Sequence, residues 1–389
     1  MRVIGLHVEG EASRIRLRNL RLLTKTDRAV LVTGATGFIG RHVVALLALG
    51  RRRVVVLARS RAGVSPRRRV EKIFGRLPEQ IDVLEGDLTC PEGIKHAAER
   101  LQLIIDTVIH CAAETSFDTD REALRLIHVE GPLALLEILG ANGLRSWSQI
   151  STAFVCGRRT GTVYEHETDL GQEFHNSYER LKLESEIRLK RACAQLGTEL
   201  RIFRPSIVTG AAPATMGGVP SNLLLTFVRL LGSLGRTERA KTCRVRIRGL
   251  RHARFNIVPV EYVARAIAEL AEEPDASGKT FHLVTDDPPT QHEILNMLSE
   301  RFGLKDLHLV GPGEQISNPS SVELRIAKLL LPYKGYLEQD VQFDCAGARQ
   351  LLNNLGVPMP VIDRREVDRL IQLAWSYNHP RYAPRAAYP

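Results

Sequence analysis

Aromatic residues make up only 5% of this 389-residue chain, and no apolar run approaches the roughly 18 residues needed to cross a bilayer. The first scarcity argues against a base-stacking platform for nucleic acid, the second against a membrane-spanning helix. Six cysteines (Cys90, Cys111, Cys156, Cys193, Cys243, Cys345) lie far apart with no CxxC pair. That spacing excludes a disulfide-stapled miniprotein, argues against a structural zinc site, and fits reduced thiols in a cytoplasm. His110, His128 and His175 have no metal-ligand spacing and read as polar or packing residues. Internal repeats and low-complexity segments are also missing. What the chain has is charge: 54 Lys and Arg against 44 Asp and Glu, a net +10. Such a surface favours anions, whether a phosphate-rich cofactor, an acidic carrier protein, nucleic acid or a membrane.

With 44% apolar residues the chain can bury the core of two or three folding units, or of one large domain with a smaller lobe. Residues 1–28 read as an N-terminal extension: Arg14, Arg16, Arg18 and Arg21 are compatible with an organelle transit peptide, whereas Glu9, Glu11 and the missing apolar segment speak against a secretory signal. From Ala29, short β-branched runs alternate with helical stretches, which predicts βαβ units and a doubly wound parallel sheet, an α/β fold, over residues 29–210. A smaller lobe is expected over 211–380, with a segment at about 255–290 returning to the sheet, and 381–389 reads as a frayed tail.

Directly after the first apolar run come Gly34, Thr36, Gly37, Phe38, Ile39 and Gly40, in the spacing Gly-x-x-Gly-x-x-Gly between strand and helix. Such a turn lets backbone approach a pyrophosphate while helix N-terminal amides meet its charge; its bland alternative is a tight turn that needs glycine. The second strand ends in Ala58 and Arg59 rather than in a carboxylate that would bind a ribose 2′-hydroxyl. A guanidinium there suits a 2′-phosphate, hence NADPH, with Arg61 assisting; otherwise Arg59 is a solvated charge in an arginine-rich loop. Asp87 and Leu88 follow a further strand end, where the carboxylate can accept from an adenine amino group, and Ala112 and Ala113 leave room beside the fourth strand for ribose and nicotinamide.

Tyr178 and Lys182 stand four apart on one predicted helix. A phenol of ordinary pKa about 10 becomes useful in acid–base chemistry when a fixed cation stabilises its phenolate. Thr152, just past a strand end, can hydrogen-bond a substrate carbonyl; Ser151 competes for that role, and strand alternation predicts that only one of the two reaches the substrate.

Taken in order, Thr33 with the glycine turn, Asp87, Ala112 and Ala113, Thr152, Tyr178 with Lys182, and Arg204 with Pro205 resemble the extended short-chain dehydrogenase/reductase family. The resemblance implies a Rossmann fold, Tyr178 as proton donor or acceptor, Lys182 as its electrostatic partner and as a ligand of the cofactor ribose, Thr152 as the hydroxyl that orients the carbonyl, and Pro205 beside the cofactor. One position departs: the family commonly has Asn where this chain has His128, which puts an Asn-dependent relay or helix kink in question. The stretches at 151–157, 175–186 and 204–210 are similar to the branch of fatty acyl-CoA reductases and carrier-protein thioester reductases, implying a free or carrier-bound acyl thioester reduced to aldehyde or alcohol. A ketone or aldehyde reductase, a secondary alcohol dehydrogenase and a non-catalytic NADP(H) sensor are the alternatives, with a sugar-nucleotide epimerase behind them, and a homodimer is compatible with all. Arg244, Arg246 and Arg248 are expected on one face of a strand, meeting thioester phosphates or solvent, and Leu223–Leu231, Tyr333, Tyr336 and Leu337 either line an acyl channel or pack a core.

Overall fold

The structure, a computed structural model, describes residues 28–378 except 51, 91, 96–103, 116–118, 211–221 and 237–242. Nearly all of the N-terminal extension, the tail at 381–389 and the Gly- and Pro-containing stretch that leaves the sheet domain lie outside the described residues.

Seven parallel strands form the central sheet: β1 (Arg28–Thr33), β2 (Arg53–Ala58), β3 (Ile81–Glu85), β4 (Ile104–His110), β5 (Ser146–Ile150), β6 (Glu199–Pro205) and β7 (Thr280–Leu283), in the spatial order β7-β6-β5-β4-β1-β2-β3. Strand alternation divides its inner residues between two cores. Val30, Val32, Val54 and Val56 pack on one face with Val43 and Val44 of helix α1 (Phe38–Leu47), whereas Leu31, Val55 and Leu57 pack on the other with Leu135, Leu136 and Leu139 of helix α2 (Gly131–Gly140). Burial on both faces explains why these strands are near-continuous apolar runs. The order reverses between β1 and β4, and at that switch the strand ends open a crevice.

Helix α3 (Ser177–Leu196) starts with Asn176 accepting the Glu179 N–H and ends at Gly197 in the left-handed conformation. Ahead of α2 the chain winds through a π-helical turn, Leu126–Glu130, with His128 at its centre. Thus the local irregularity that the missing Asn put in question is present with histidine in its place. A Cβ on Gly131, at the end of that turn, would meet Leu88 O at 2.7 Å, so glycine lets this helix close on the cofactor-side loop.

A second core is built on helix α4 (Leu223–Leu234), the helix Gln291–Phe302 and helix Arg364–Asn378, with Val245 and Ile247 of a small strand. The chain passes between lobe and sheet more than once. Besides Ile257–Pro259, which pairs with Ile207–Thr209, and β7, a second return occurs: Val341–Phe343 pairs with Gly161–Val163, and Ala348, Leu352 and Val357 join the sheet-side core. That segment carries too few apolar residues in a row to announce the return locally.

Candidate active site

A cleft of about 1510 Å³ extends from the glycine turn across the ends of β1, β2, β4, β5 and β6 into the lobe. Gly34, Thr36, Gly37, Phe38 and Ile39 line it. Gly34 has φ +65°, and a Cβ there would sit 2.5 Å from Ala112 N. Gly40 does not line the cleft; a Cβ on it would lie 2.4 Å from Gly34 O, so its role is to let α1 close on the turn. The sequence reading missed Arg41, whose Nε donates to Gly37 O at 2.8 Å and whose Nη2 donates to Thr36 O at 3.2 Å, fixing the turn from inside. Gly34→Ala should cost about 1–2 kcal/mol for the left-handed backbone alone, with the contact at Ala112 adding to it. A lower thermal midpoint and weakened dinucleotide binding, measured by calorimetry, are the expected result.

Asp87, Leu88, Ala112, Ala113 and Pro205 also border the cleft. The Asp87 carboxylate is already engaged: Thr89 N and Thr89 Oγ1 donate to Oδ1, and Arg59 Nη1 donates to Oδ2 at 3.0 Å. These bonds outweigh its partial burial and hold the carboxyl below its ordinary value. Arg59 is therefore tied to Asp87 rather than standing alone. Arg61 and Arg69 join it on the cleft wall, with Arg69 bonded to the Arg59 carbonyl and to Thr36 Oγ1. Burial and the repulsion of Arg61 and Arg59 lower the Arg69 pKa. Three guanidiniums thus border this end of the cleft, and Arg59 among them is paired with Asp87.

On the other side of the switch, β5 ends at Ile150, before Ser151 and Thr152. Ser151 N still donates to Phe203 O at 2.7 Å, so the extended pairing runs past Ile150, and both residues border the cleft. Thr152 Oγ1 accepts the Phe154 N–H at 3.3 Å, leaving its hydroxyl proton to donate, and Ser151 Oγ, buried, has no partner among the described residues. Lys182 is 2% exposed; its Nζ donates to Ile150 O at 2.9 Å and lies 5.9 Å from the Tyr178 ring centre. Burial pulls Lys182 down to about 8, opposed by Glu186 and Cys111. The Tyr178 ring packs edge-on against His128 at 5.3 Å, and burial together with the Glu179 charge pushes its phenol up. This outcome is opposite to the expected lowering by Lys182: the lysine is anchored to backbone and the phenol is desolvated.

Tyr336, 158 positions beyond Tyr178, comes from the lobe into the same cleft, donates to Glu179 Oε1 and accepts from Asn176 Nδ2 at 2.9 Å. Burial raises Glu179 to about 7. Tyr333 also lines the cleft, whereas Leu337 is core. Helix α4 borders the cleft with Leu223, Thr226 and Leu230 at helical spacing, and its Leu224, Phe227, Val228 and Leu231 are buried in the lobe. Among the described residues there is no group of three or more His, Cys, Asp or Glu suited to a metal, and no helix is long and apolar enough to cross a membrane.

This geometry agrees with what the chain is similar to. A family profile described as male sterility protein matches residues 32–267. The chain belongs to that family. It is thereby an extended short-chain dehydrogenase/reductase of the thioester reductase and fatty acyl-CoA reductase-like branch. A hybrid PKS-NRPS synthetase of Thermothelomyces thermophilus is 31% identical over 61% of this chain and 6% of its own length, and a carboxylic acid reductase of Mycobacterium marinum is 25% identical over 70% and 26%. The chain thus spans about a quarter or less of these two relatives. In fold it is similar to the terminal R domain from the myxalamid PKS-NRPS biosynthetic pathway, with a TM-score of 0.72 at 22% identity over 94% of both chains.

Proposed function

We propose that this family member is an NADPH-dependent reductase of acyl thioesters. The observation that carries the reading is the continuity of one cleft: a glycine turn with an arginine cluster at one end, Ser151, Thr152, Tyr178 and Lys182 in the middle, and a passage of mixed polar and apolar lining between α4 and helix α5 (Ser321–Leu330) at the other. A dinucleotide fits the first part, since Gly34 and Gly37 bring backbone to its surface and the N-terminus of α1 faces it. Arg59, Arg61 and Arg69 would hold a 2′-phosphate, Asp87 and Leu88 the adenine, Ala112, Ala113 and Pro205 the nicotinamide half, and Lys182 a ribose. When bound, the cofactor supplies the hydride.

The chain's own residues do the rest. Thr152 and Ser151 donate to the thioester oxygen, and these bonds strengthen as negative charge grows there. The Tyr178 phenol gives that oxygen its proton, completing a hemithioacetal. Collapse breaks the C–S bond, with the thiolate sulfur taking a proton as the hydroxyl loses one, so one hydride and one proton convert thioester to aldehyde and thiol; a second round would give an alcohol. Of the arginines expected to meet thioester phosphates, Arg246 is bound to Glu323, whose carboxyl it holds down at about 2, and Arg248 donates to the carbonyls of Gly311, Pro312 and Glu314. Both are consumed by structure. Arg325 borders the lobe end of the cleft and suits the phosphates of coenzyme A or of a carrier-protein arm.

The deciding assay is NADPH oxidation with a medium- or long-chain acyl-CoA, a carrier-bound acyl group, the matching aldehyde and a ketone panel, with NADH in parallel and products identified by mass. Aldehyde or alcohol from a thioester supports the proposal, and turnover of ketones alone removes the thioester assignment. Cofactor choice has its own test. A hydrogen bond to a charged group contributes about 1.5–3 kcal/mol, so Arg69→Ala should weaken NADPH binding by about 10- to 150-fold and leave NADH nearly unchanged. Equal losses for both cofactors would place Arg69 in the folding of the loop rather than on the phosphate.

A further inference from the structure

Residues 331–340, which leave α5, tie the lobe to the start of the helix that carries Tyr178 and Lys182. One side of this stretch is fixed in the lobe: Tyr333 and Leu337 are buried in its core, and Leu337 O accepts the Leu250 N–H and a Gln291 Nε2–H, each at 3.1 Å. The other side meets the sheet domain at three residues. Gln339 Nε2 donates to Gly157 O at 2.9 Å and to Arg159 O, and its Oε1 accepts from His175 Nε2 at 2.9 Å. Gly335 lies against the His175 ring, where a Cβ would come within 2.1 Å of Nδ1. The Tyr336 ring meets Phe154 edge-on at 5.0 Å and His175 at 5.3 Å.

The Tyr336 hydroxyl accepts from Asn176 Nδ2 at 2.9 Å and donates to Glu179 Oε1. Both partners belong to the first turn of α3. Asn176 is the capping residue, its Oδ1 accepting the Glu179 N–H at 3.0 Å, while the second oxygen of the buried Glu179 accepts the His175 N–H at 2.9 Å. The hydrogen bonds thus run from Asn176 to Tyr336, on to Glu179 and back to Asn176, a closed ring around the stretch of chain in which Tyr178 lies. The mechanism above makes no use of this phenol.

We propose that Tyr336 is a positioning residue supplied by the lobe: through Glu179 and Asn176 it orients the helix turn that presents Tyr178 to the substrate, an inference that rests on Tyr178 being the acid of the proposed reaction. Tyr336 itself makes and breaks no covalent bond. Cys156 and Arg158 face Glu179 from the turn after β5, Tyr336 from the lobe, and His175 and Tyr178 from its own stretch of chain. Burial raises Glu179 to about 7, against the hydrogen bonds of Tyr336 and the His175 N–H and the Arg158 charge, which hold it down. Without the Tyr336 hydroxyl the carboxylate is lost at a higher pH.

Tyr336→Phe keeps the ring and removes only that hydroxyl. It should lower kcat about tenfold at pH 7, the order of one hydrogen bond to a charged group, leave NADPH affinity within about twofold, and move the acid limb of the kcat profile to higher pH. Glu179→Gln, which cannot ionise, should lose that limb, and adding Tyr336→Phe to it should cost less than about a further twofold, because both changes cut the same ring. A Tyr336→Phe enzyme with the parent kcat and limb, or a tenfold loss repeated in full on the Glu179→Gln background, overturns the proposal. Amide hydrogen exchange needs no turnover: the His175 and Glu179 N–H groups should exchange about tenfold faster in Tyr336→Phe than in the parent, with the amides of central α3 unaltered. Unchanged exchange at both also overturns it. Faster exchange in a chain whose Tyr178→Phe variant stays active would strike the reading of Tyr178 and leave the tie from lobe to helix standing.

Discussion

Tyr178→Phe should lower thioester-dependent NADPH oxidation by about 10²–10⁴-fold, the range for losing one positioned acid, while NADPH affinity stays within about twofold. The substitution removes one oxygen and keeps the ring that packs on His128 at 5.3 Å, so the surrounding core has no reason to rearrange. Lys182 keeps its bond to Ile150 O, and no wall of the dinucleotide end of the cleft is altered. Because burial and Glu179 hold Tyr178 as a neutral phenol, the role proposed for it is donation to an oxyanion that exists only after hydride arrival. The loss therefore falls on kcat, with KM nearly unchanged, which separates it from a binding defect. Rapid-reaction measurement of the chemical step, with cofactor titration by fluorescence, checks both halves. Turnover preserved in the variant would pass the acid role to Thr152 or Ser151.

The parts of this site that were legible in the sequence are those set by local rules. A glycine turn between a β-branched run and a helix states its own geometry, and Tyr178 and Lys182 share a helix face by their spacing alone. The doubly wound parallel sheet followed from alternation, because strands covered on both faces must be apolar throughout. Where the reading failed, the competing effect was a tertiary contact. Arg59 looked like a free cation until the fold brought Asp87 to 3.0 Å from it, and Arg69 looked like loop charge until the chain folded back on Thr36. Tyr336 was named from the sequence, but its bond to Glu179 had no local signal, since the two lie 157 positions apart. The three arginines at 244, 246 and 248 alternate as a strand must, but alternation says nothing about whether Glu323 will claim one of them.

Arg204→Ala should destabilise the protein by about 3–5 kcal/mol, the cost of leaving one member of a buried ion pair without its partner. Arg204 and Glu186 are each about 1% exposed at the side chain and are joined twice, Nε to Oε1 at 3.0 Å and Nη2 to Oε2 at 2.6 Å, with Nη1 also donating to Glu167 O at 2.9 Å. The pair welds β6 to α3. It therefore sets where Pro205 meets the cleft and how the helix carrying Tyr178 and Lys182 lies against the ends of the strands. Glu186 is also the carboxylate that favours the charged form of Lys182, so the same substitution that loosens the sheet disturbs the electrostatics of the site. A double change, Arg204→Met with Glu186→Leu, distinguishes the two effects. It removes both charges and refills the space, so most of the lost stability should return in a denaturant titration, because an apolar pair of similar volume often replaces a buried ion pair without cost. Activity should not return with it, since Lys182 then lacks its supporting carboxylate and its pKa falls further below its ordinary value. Recovery of activity along with stability would mean that the pair serves the fold alone.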